Sequence, residues 1–229
     1  MPAWLPEVIA AVLAAVIAIT LHEAAHGYAA DALGDPTARE RGRVSLNPLR
    51  HVDMVGTLIV PGILLVTQLL TIGRVEAMFG WAKPVPVDIR RLRSPRWGMM
   101  WVALAGPGMN LLLAFIAALA AHLAGLLGPD EAALLYRSVA LFMVVNLVLA
   151  VFNMLPIPPL DGGRVVTALL PWQLARRFAE IERFGLLIVL GLLFILPRIS
   201  ADLDVMAWAL RNVVSPVFSL LLRAAGHPP

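Results

Sequence analysis

Residues 8–33 read VIAAVLAAVIAITLHEAAHGYAADAL. The first half carries no charge and suits lipid, yet it runs straight into His22, Glu23 and His26. A charged group inside a membrane helix costs on the order of 2.5–3.5 kcal/mol, so ionisable side chains there mark function by default. His22-Glu23-Ala24-Ala25-His26 fits H-E-x-x-H. On a helix, positions i and i+4 share a face, so both imidazoles can reach one metal ion. Glu23 stands beside them, able to hold and deprotonate a metal-bound water. Catalytic zinc takes three protein ligands and keeps one position open. It brings the pKa of its water to about 7 and polarises the carbonyl under attack. The plain alternative is a helix end whose polar groups face solvent or a neighbouring helix.

The rest of the chain fits a membrane setting. Of 229 residues, 60% are hydrophobic and 14% charged, and the mean hydropathy is +0.83. A soluble domain has about a quarter of its residues charged. Apolar runs occupy residues 4–33, 54–73, 97–128, 133–155, 184–196 and 203–222, several of them near the roughly 20 residues that cross a bilayer. The expected fold is therefore an all-α polytopic membrane protein with five or six helical spans. No polar linker divides it. Residues 1–229 read as one integral-membrane domain, with a catalytic core over about 1–170 and C-terminal helices over about 180–223. The N-terminus MPAWLPEV lacks the positive region of a secretory signal, so the first run is expected to be retained.

The net charge of +3 fits basic residues held in cytoplasmic loops. No basic face with groove-reading elements appears, so nucleic acid is not an expected partner. Cysteine is absent, and any metal must be held by His, Asp or Glu. The loop charges also set a topology. Arg39, Arg41, Arg43 and Arg50 precede the second run, and Arg74, Lys83, Arg90, Arg91, Arg93 and Arg96 follow it. Two basic flanks do not belong to a simple crossing. Residues 54–73 are thus expected to re-enter, breaking at Pro61-Gly62, or to lie in the interface. Residues 38–53 and 78–92 read as short membrane-surface extended segments. In the second of these Pro84 and Pro86 exclude helix, and Val85, Val87 and Ile89 alternate.

A third ligand must come from elsewhere. Asp161 follows three prolines (Pro156, Pro158, Pro159) and precedes Gly162-Gly163. The prolines stop the helix and the glycines permit a sharp turn back into one, which holds Asp161 at a break beside a membrane helix. A turn or N-cap aspartate is the competing reading. If residues 54–73 make no crossing, His22, His26 and Asp161 end on one side of the bilayer. The charge pattern and the metal reading thus require the same topology.

HEAAH on an early span, AGPGMN on a middle one and NMLPIPPLDGG after a later one together resemble the site-2 protease family of intramembrane zinc metalloproteases. The likeness runs from Ile19 to Val166 and matches the compact form without PDZ or CBS domains. It implies hydrolysis of peptide bonds within or near transmembrane segments, with one Zn2+ per chain. His22, His26 and Asp161 would be its ligands and Glu23 the general base. It also favours Asn110 as a group that binds substrate backbone or the oxyanion, with a helix-to-helix hydrogen bond as the alternative. Asn153 is placed similarly, though capping the helix end explains it as well. His51 could enter the site or sit at the interface, and His122 and His227 lie too far along the chain to reach the metal.

A helical substrate must unwind before cleavage, and its extended chain could pair with an exposed strand edge. The proline run before Asp161 and residues 81–89 are the candidate edges. The expected partners are a transmembrane protein substrate, the lipid bilayer and an unidentified regulatory membrane protein. The expected location is the cytoplasmic membrane of a prokaryote, with the site toward the cytoplasm. Rival functions for the same His/Asp cluster are a membrane metal or ion transporter and a catalytically silent membrane binding protein.

Overall fold

The computed structural model describes residues 5–71, 73 and 80–228; Trp4, Arg74, Met78 and Phe79, which figured in the sequence reading, lie outside them. The principal helices are α1 (Leu5–Ala32), α2 (Val60–Thr71), α3 (Pro95–Ala120), α4 (Pro129–Asn153), α5 (Asp161–Leu169), α6 (Trp172–Ala179) and α7 (Val205–Ala224). Among the described residues there is no strand.

Among the described residues, four helices are long and apolar enough to cross a bilayer, where the sequence offered five or six apolar runs: Ile9–Ala32 within α1, Pro95–Leu126 built on α3, α4 and α7. Residues 185–199 form a shorter helix interrupted by a π turn at Gly191–Ile195. Residues 54–71 are also helical, but their expected break at Pro61-Gly62 does not occur. Asp53 caps a π turn over Met54–Ile59, accepting from the Val55 and Gly56 amides at 3.0 and 2.7 Å, and α2 continues from it. The wider π turn accommodates a proline that has no N–H to give.

This stretch makes no net crossing. The Arg93 amide donates to the Leu33 carbonyl at 3.0 Å, so the end of α1 and the approach to α3 lie side by side. Between them, the Trp81 amide returns to the Gly56 carbonyl at 3.1 Å. Arg43 bonds the Lys83 carbonyl and Arg91 pairs with Glu40, so the described basic residues on the two flanks share one face, as the charge rule expects.

α1, α3 and α4 pack against one another. Their contacts are made by small residues, among them Ala14, Ala18, Ala25, Ala103, Gly106 and Ala114. In lipid the hydrophobic effect gives no drive between helices, so close backbone approach and van der Waals contact hold the bundle. Large apolar side chains such as Leu13, Leu58, Ile116 and Leu187 remain on the outside, facing hydrocarbon. α7 lays Val214, Val217 and Phe218 against Ala114, Ala118, Met143 and Leu147. At the far end, His122 and His227 stack at 4.1 Å. Each donates to a carbonyl of the other's segment, Ala225 at 2.7 Å and Ala118 at 2.8 Å.

Residues 80–88 run extended without pairing as a strand. Their inward amides are each caught by a different element. Lys83 donates to the His51 carbonyl at 2.9 Å, Val85 to Glu23 Oε2 at 3.0 Å and Asp88 to Asp35 Oδ2 at 2.6 Å. Arg43 clamps the same segment through the Lys83 carbonyl at 2.6 Å. Pro84 and Pro86 fall between the bonded positions and carry no N–H. A chain pairing on the outer edge would find no donor at Pro84 or Pro86, so residues 81–89 do not form a complete strand edge for substrate.

Asp35 is fully buried just past α1. It accepts from the Thr37 amide at 3.0 Å, from the Thr37 hydroxyl and from the Asp88 amide. Burial raises its pKa, but these donors outweigh burial and hold it below the usual carboxylate range. Its contribution is thus fully present above the unfolded-state pKa of about 3.9 and fades as pH falls through the lower folded value. Asp35→Ala leaves buried donors unpaired and costs about 3 kcal/mol. Asp35→Asn makes thermal stability less steep below pH 4. Melting curves of both variants across pH 3–7 check this.

Candidate metal centre

The H-E-x-x-H stretch lies within the last three turns of α1, where His22 and His26 face α3. Their exposures are 4% and 5%. Nδ1 of His26 donates to the Val102 carbonyl at 2.7 Å, and Nδ1 of His22 lies 2.5 Å from Asn110 Oδ1. Both Nε2 atoms therefore present lone pairs, 3.1 Å apart.

Asp161 opens α5 after the proline run and is 5% exposed. The turn that delivers it depends on its two glycines. A Cβ on Gly162 would run into the Met154 and Leu155 carbonyls, and one on Gly163 into the Pro158 backbone. Arg96 on α3 secures the other end of α5, donating to the Ala168 and Leu170 carbonyls. Asp161 Oδ2 thereby comes to 3.2 Å from His22 Nε2 and 3.3 Å from His26 Nε2, while Arg164 faces Oδ1 at 3.8 Å.

The donor set fits a metal. Candidate ligand atoms of His22, His26 and Asp161 all lie within 4.8 Å of one another. Two imidazole lone pairs and a carboxylate oxygen are all acceptors, and such a group is electrostatically satisfied by a cation. Two nitrogens and one oxygen make a set that zinc uses at catalytic sites.

Gly106 is what lets α3 approach this closely. A Cβ there would fall 2.5 Å from His26 Nε2 and 2.6 Å from His22 Nε2. At Gly106 the neighbour of the missing Cβ is the imidazole pair itself. Gly106→Ala is expected to displace the rings and lower metal affinity about tenfold or more. A chelator-competition titration on the purified variant measures it.

Glu23 is half-buried, with one carboxylate oxygen on the Val85 amide and the Arg43 guanidinium within electrostatic reach. Asn110, expected to face substrate, is fully buried and turns its amide into the protein, onto His22 and onto Asn146 Oδ1 at 2.9 Å. Asn153 ends α4 and donates to the Leu149 carbonyl at 3.0 Å, a bond within its own helix. His51 is buried away from the cluster, with Nε2 on the Ser45 carbonyl at 2.8 Å. Asn146 escaped the sequence reading. Its signal was there: one amide among apolar residues at the centre of a span.

Comparison with known proteins agrees with this geometry. A family model for peptidase family M50 matches residues 122–196. "Putative zinc metalloprotease YwhC" of Bacillus subtilis (strain 168) is 35% identical over 216 residues, covering 93% of this chain and 92% of that protein. "Putative zinc metalloprotease Rip2" of Mycobacterium tuberculosis (strain ATCC 25618 / H37Rv) is 32% identical over 185 residues, 81% of this chain and 66% of that protein. Rip3 of the same strain, under the same designation, is 45% identical over 87 residues, 37% of this chain and 20% of that protein. No solved structure matches. The chain belongs to peptidase family M50, the metallopeptidase family of the site-2 proteases.

Proposed function

We propose that this protein is an intramembrane zinc endopeptidase that cuts peptide bonds within or near transmembrane segments of other proteins. The observation that carries the proposal is the convergence of three buried acceptors from α1 and α5, beside Glu23, in a bundle whose outer surface is apolar. His22, His26 and Asp161 hold the ion. Zinc, when bound there, supplies a Lewis acid for the scissile carbonyl and for the attacking water.

The remaining chemistry falls to the chain. Glu23 is the general base: its carboxylate takes a proton from the attacking water and later delivers one to the leaving amine. The Val85 amide and Arg43 hold it in place. Arg164 sits 3.8 Å from the other Asp161 oxygen, Oδ1, and its charge favours keeping that oxygen turned from the ion. Close packing of α1, α3 and α4 limits the water around the site and strengthens each of these interactions. The basic loops put the centre toward the cytoplasmic face.

The test uses the full-length protein reconstituted in liposomes with zinc and a panel of labelled single-span peptides. The expected result is cleavage at membrane-embedded bonds that is abolished by chelation and restored by zinc. Cleavage indifferent to chelation would overturn the reading. Zinc flux across the liposome without cleavage would assign the cluster to transport instead.

A further inference from the structure

We propose that Asn110 and Asn146 are positioning residues, forming a hydrogen-bonded relay that fixes His22 in its metal-ready tautomer. This rests on the metal reading above and adds two residues to it.

The two ends of an amide look alike by shape, but here their orientation follows from the partners. Asn146 reaches the Phe142 carbonyl at 2.9 Å. A carbonyl only accepts, so the atom facing it is Nδ2. Asn146 Oδ1 then faces Asn110 at 2.9 Å, and the Asn110 atom that meets it must be a donor, Nδ2. The Ala18 carbonyl, 3.5 Å from the same atom, imposes the same orientation independently. Asn110 Oδ1 is left facing His22 Nδ1 at 2.5 Å. Nδ1 must therefore carry the hydrogen, and the Nε2 lone pair points at His26 and Asp161.

The relay runs from the backbone of α4 through α3 to α1. His26 reaches the same tautomer in one step, through the Val102 carbonyl. Both asparagines have 0% exposure, and a buried amide without partners costs about 2–7 kcal/mol. The four polar side-chain atoms of the pair all have partners within the bundle. Because the Asn110 donor, Nδ2, is committed to Asn146 Oδ1 and the Ala18 carbonyl, the oxyanion is stabilised by other groups.

The experiment measures the zinc dissociation constant of the full-length protein by chelator competition, with the visible spectrum of the Co2+-substituted protein as a reading of ligand geometry. The variants are Asn110→Leu, Asn110→Asp and Asn146→Leu, with Asp161→Ala as the ligand control. Asn110→Leu is near in size but offers no acceptor, and weakens zinc about 10–100-fold with a changed cobalt spectrum. Asn110→Asp keeps an acceptor on His22 Nδ1 and holds zinc within about threefold of wild type. Asn146→Leu, one helix further out, loosens zinc by about tenfold or less and keeps the test open should Asn110→Leu fail to fold.

Equal weakening by Asn110→Leu and Asn110→Asp would reduce Asn110 to packing and overturn the relay. So would unchanged zinc affinity in both Leu variants with only cleavage lost, the signature of substrate contact. If wild type binds zinc, Asp161→Ala loses it and the Leu variants keep it, the relay alone fails. If Asp161→Ala binds zinc like wild type, the metal centre itself fails.

Discussion

Asp161→Ala should strip the protein of zinc. Wild type purified from zinc-containing medium is expected to carry about one zinc per chain and the variant close to none, read by elemental analysis. Histidine pairs on one helix are weak zinc sites alone; the third ligand gives the tripod its affinity. Here that ligand comes from a different helix and approaches both Nε2 atoms within 3.3 Å. Its removal leaves the two imidazoles and one wall of the site open. The variant should still fold, since α5 remains anchored through Arg96 to its C-terminal carbonyls. A melting temperature matching that of zinc-stripped wild type, with zinc lost, separates the ligand role from a structural one. Zinc at wild-type stoichiometry in Asp161→Ala would remove this residue from the site.

Glu23→Gln should do the reverse, keeping zinc and losing cleavage. The glutamine oxygen can still accept from the Val85 amide, so residues 80–88 stay in place. What disappears is a group able to take a proton from water, and removing a general base lowers rates about 10²–10⁴-fold. Side-by-side measurement of zinc content and peptide cleavage distinguishes the two variants. Cleavage by Glu23→Gln at the wild-type rate would assign the base elsewhere. Loss of zinc together with activity would make Glu23 part of the ion's support.

Much of the architecture could be read directly because membranes simplify the code. With no water to satisfy a bare backbone, an apolar run of sufficient length must be helical, and α1, α3, α4 and α7 followed. Where runs were short or carried prolines, length and composition gave no answer. The residues around Pro61 stayed helical because a π turn absorbed the missing donor, a local adjustment without a sequence signature. The edge expected of residues 81–89 was judged from alternation. Alternation does not show which amides are already bound, and the tertiary structure binds Lys83, Val85 and Asp88 inward.

The site divides along the same line. HEAAH is a local motif, and helical periodicity alone puts its histidines on one face. Asp161 could be nominated from prolines and glycines that force a turn, and the charge pattern put it on the same side as the histidines, beside which it lies. Asn110 was visible as an amide in a span, but its partner was not, since His22 lies 88 residues away. Nothing in AGPGMN shows by itself that imidazoles 80 or more residues away lie where the Cβ of Gly106 would be.

The sequence by itself therefore determined the apolar helical setting, the meeting of His22, His26 and Asp161 at one end of the bundle and the residue types able to bind metal. Each follows from short-range chemistry: hydropathy, loop charge, helical repeat. The tertiary structure alone decided how close the helices come, which nitrogen of each histidine faces Asp161 and which buried groups meet the other nitrogen. These depend on contacts between residues far apart in the chain, where geometry rather than residue type selects one partner among many.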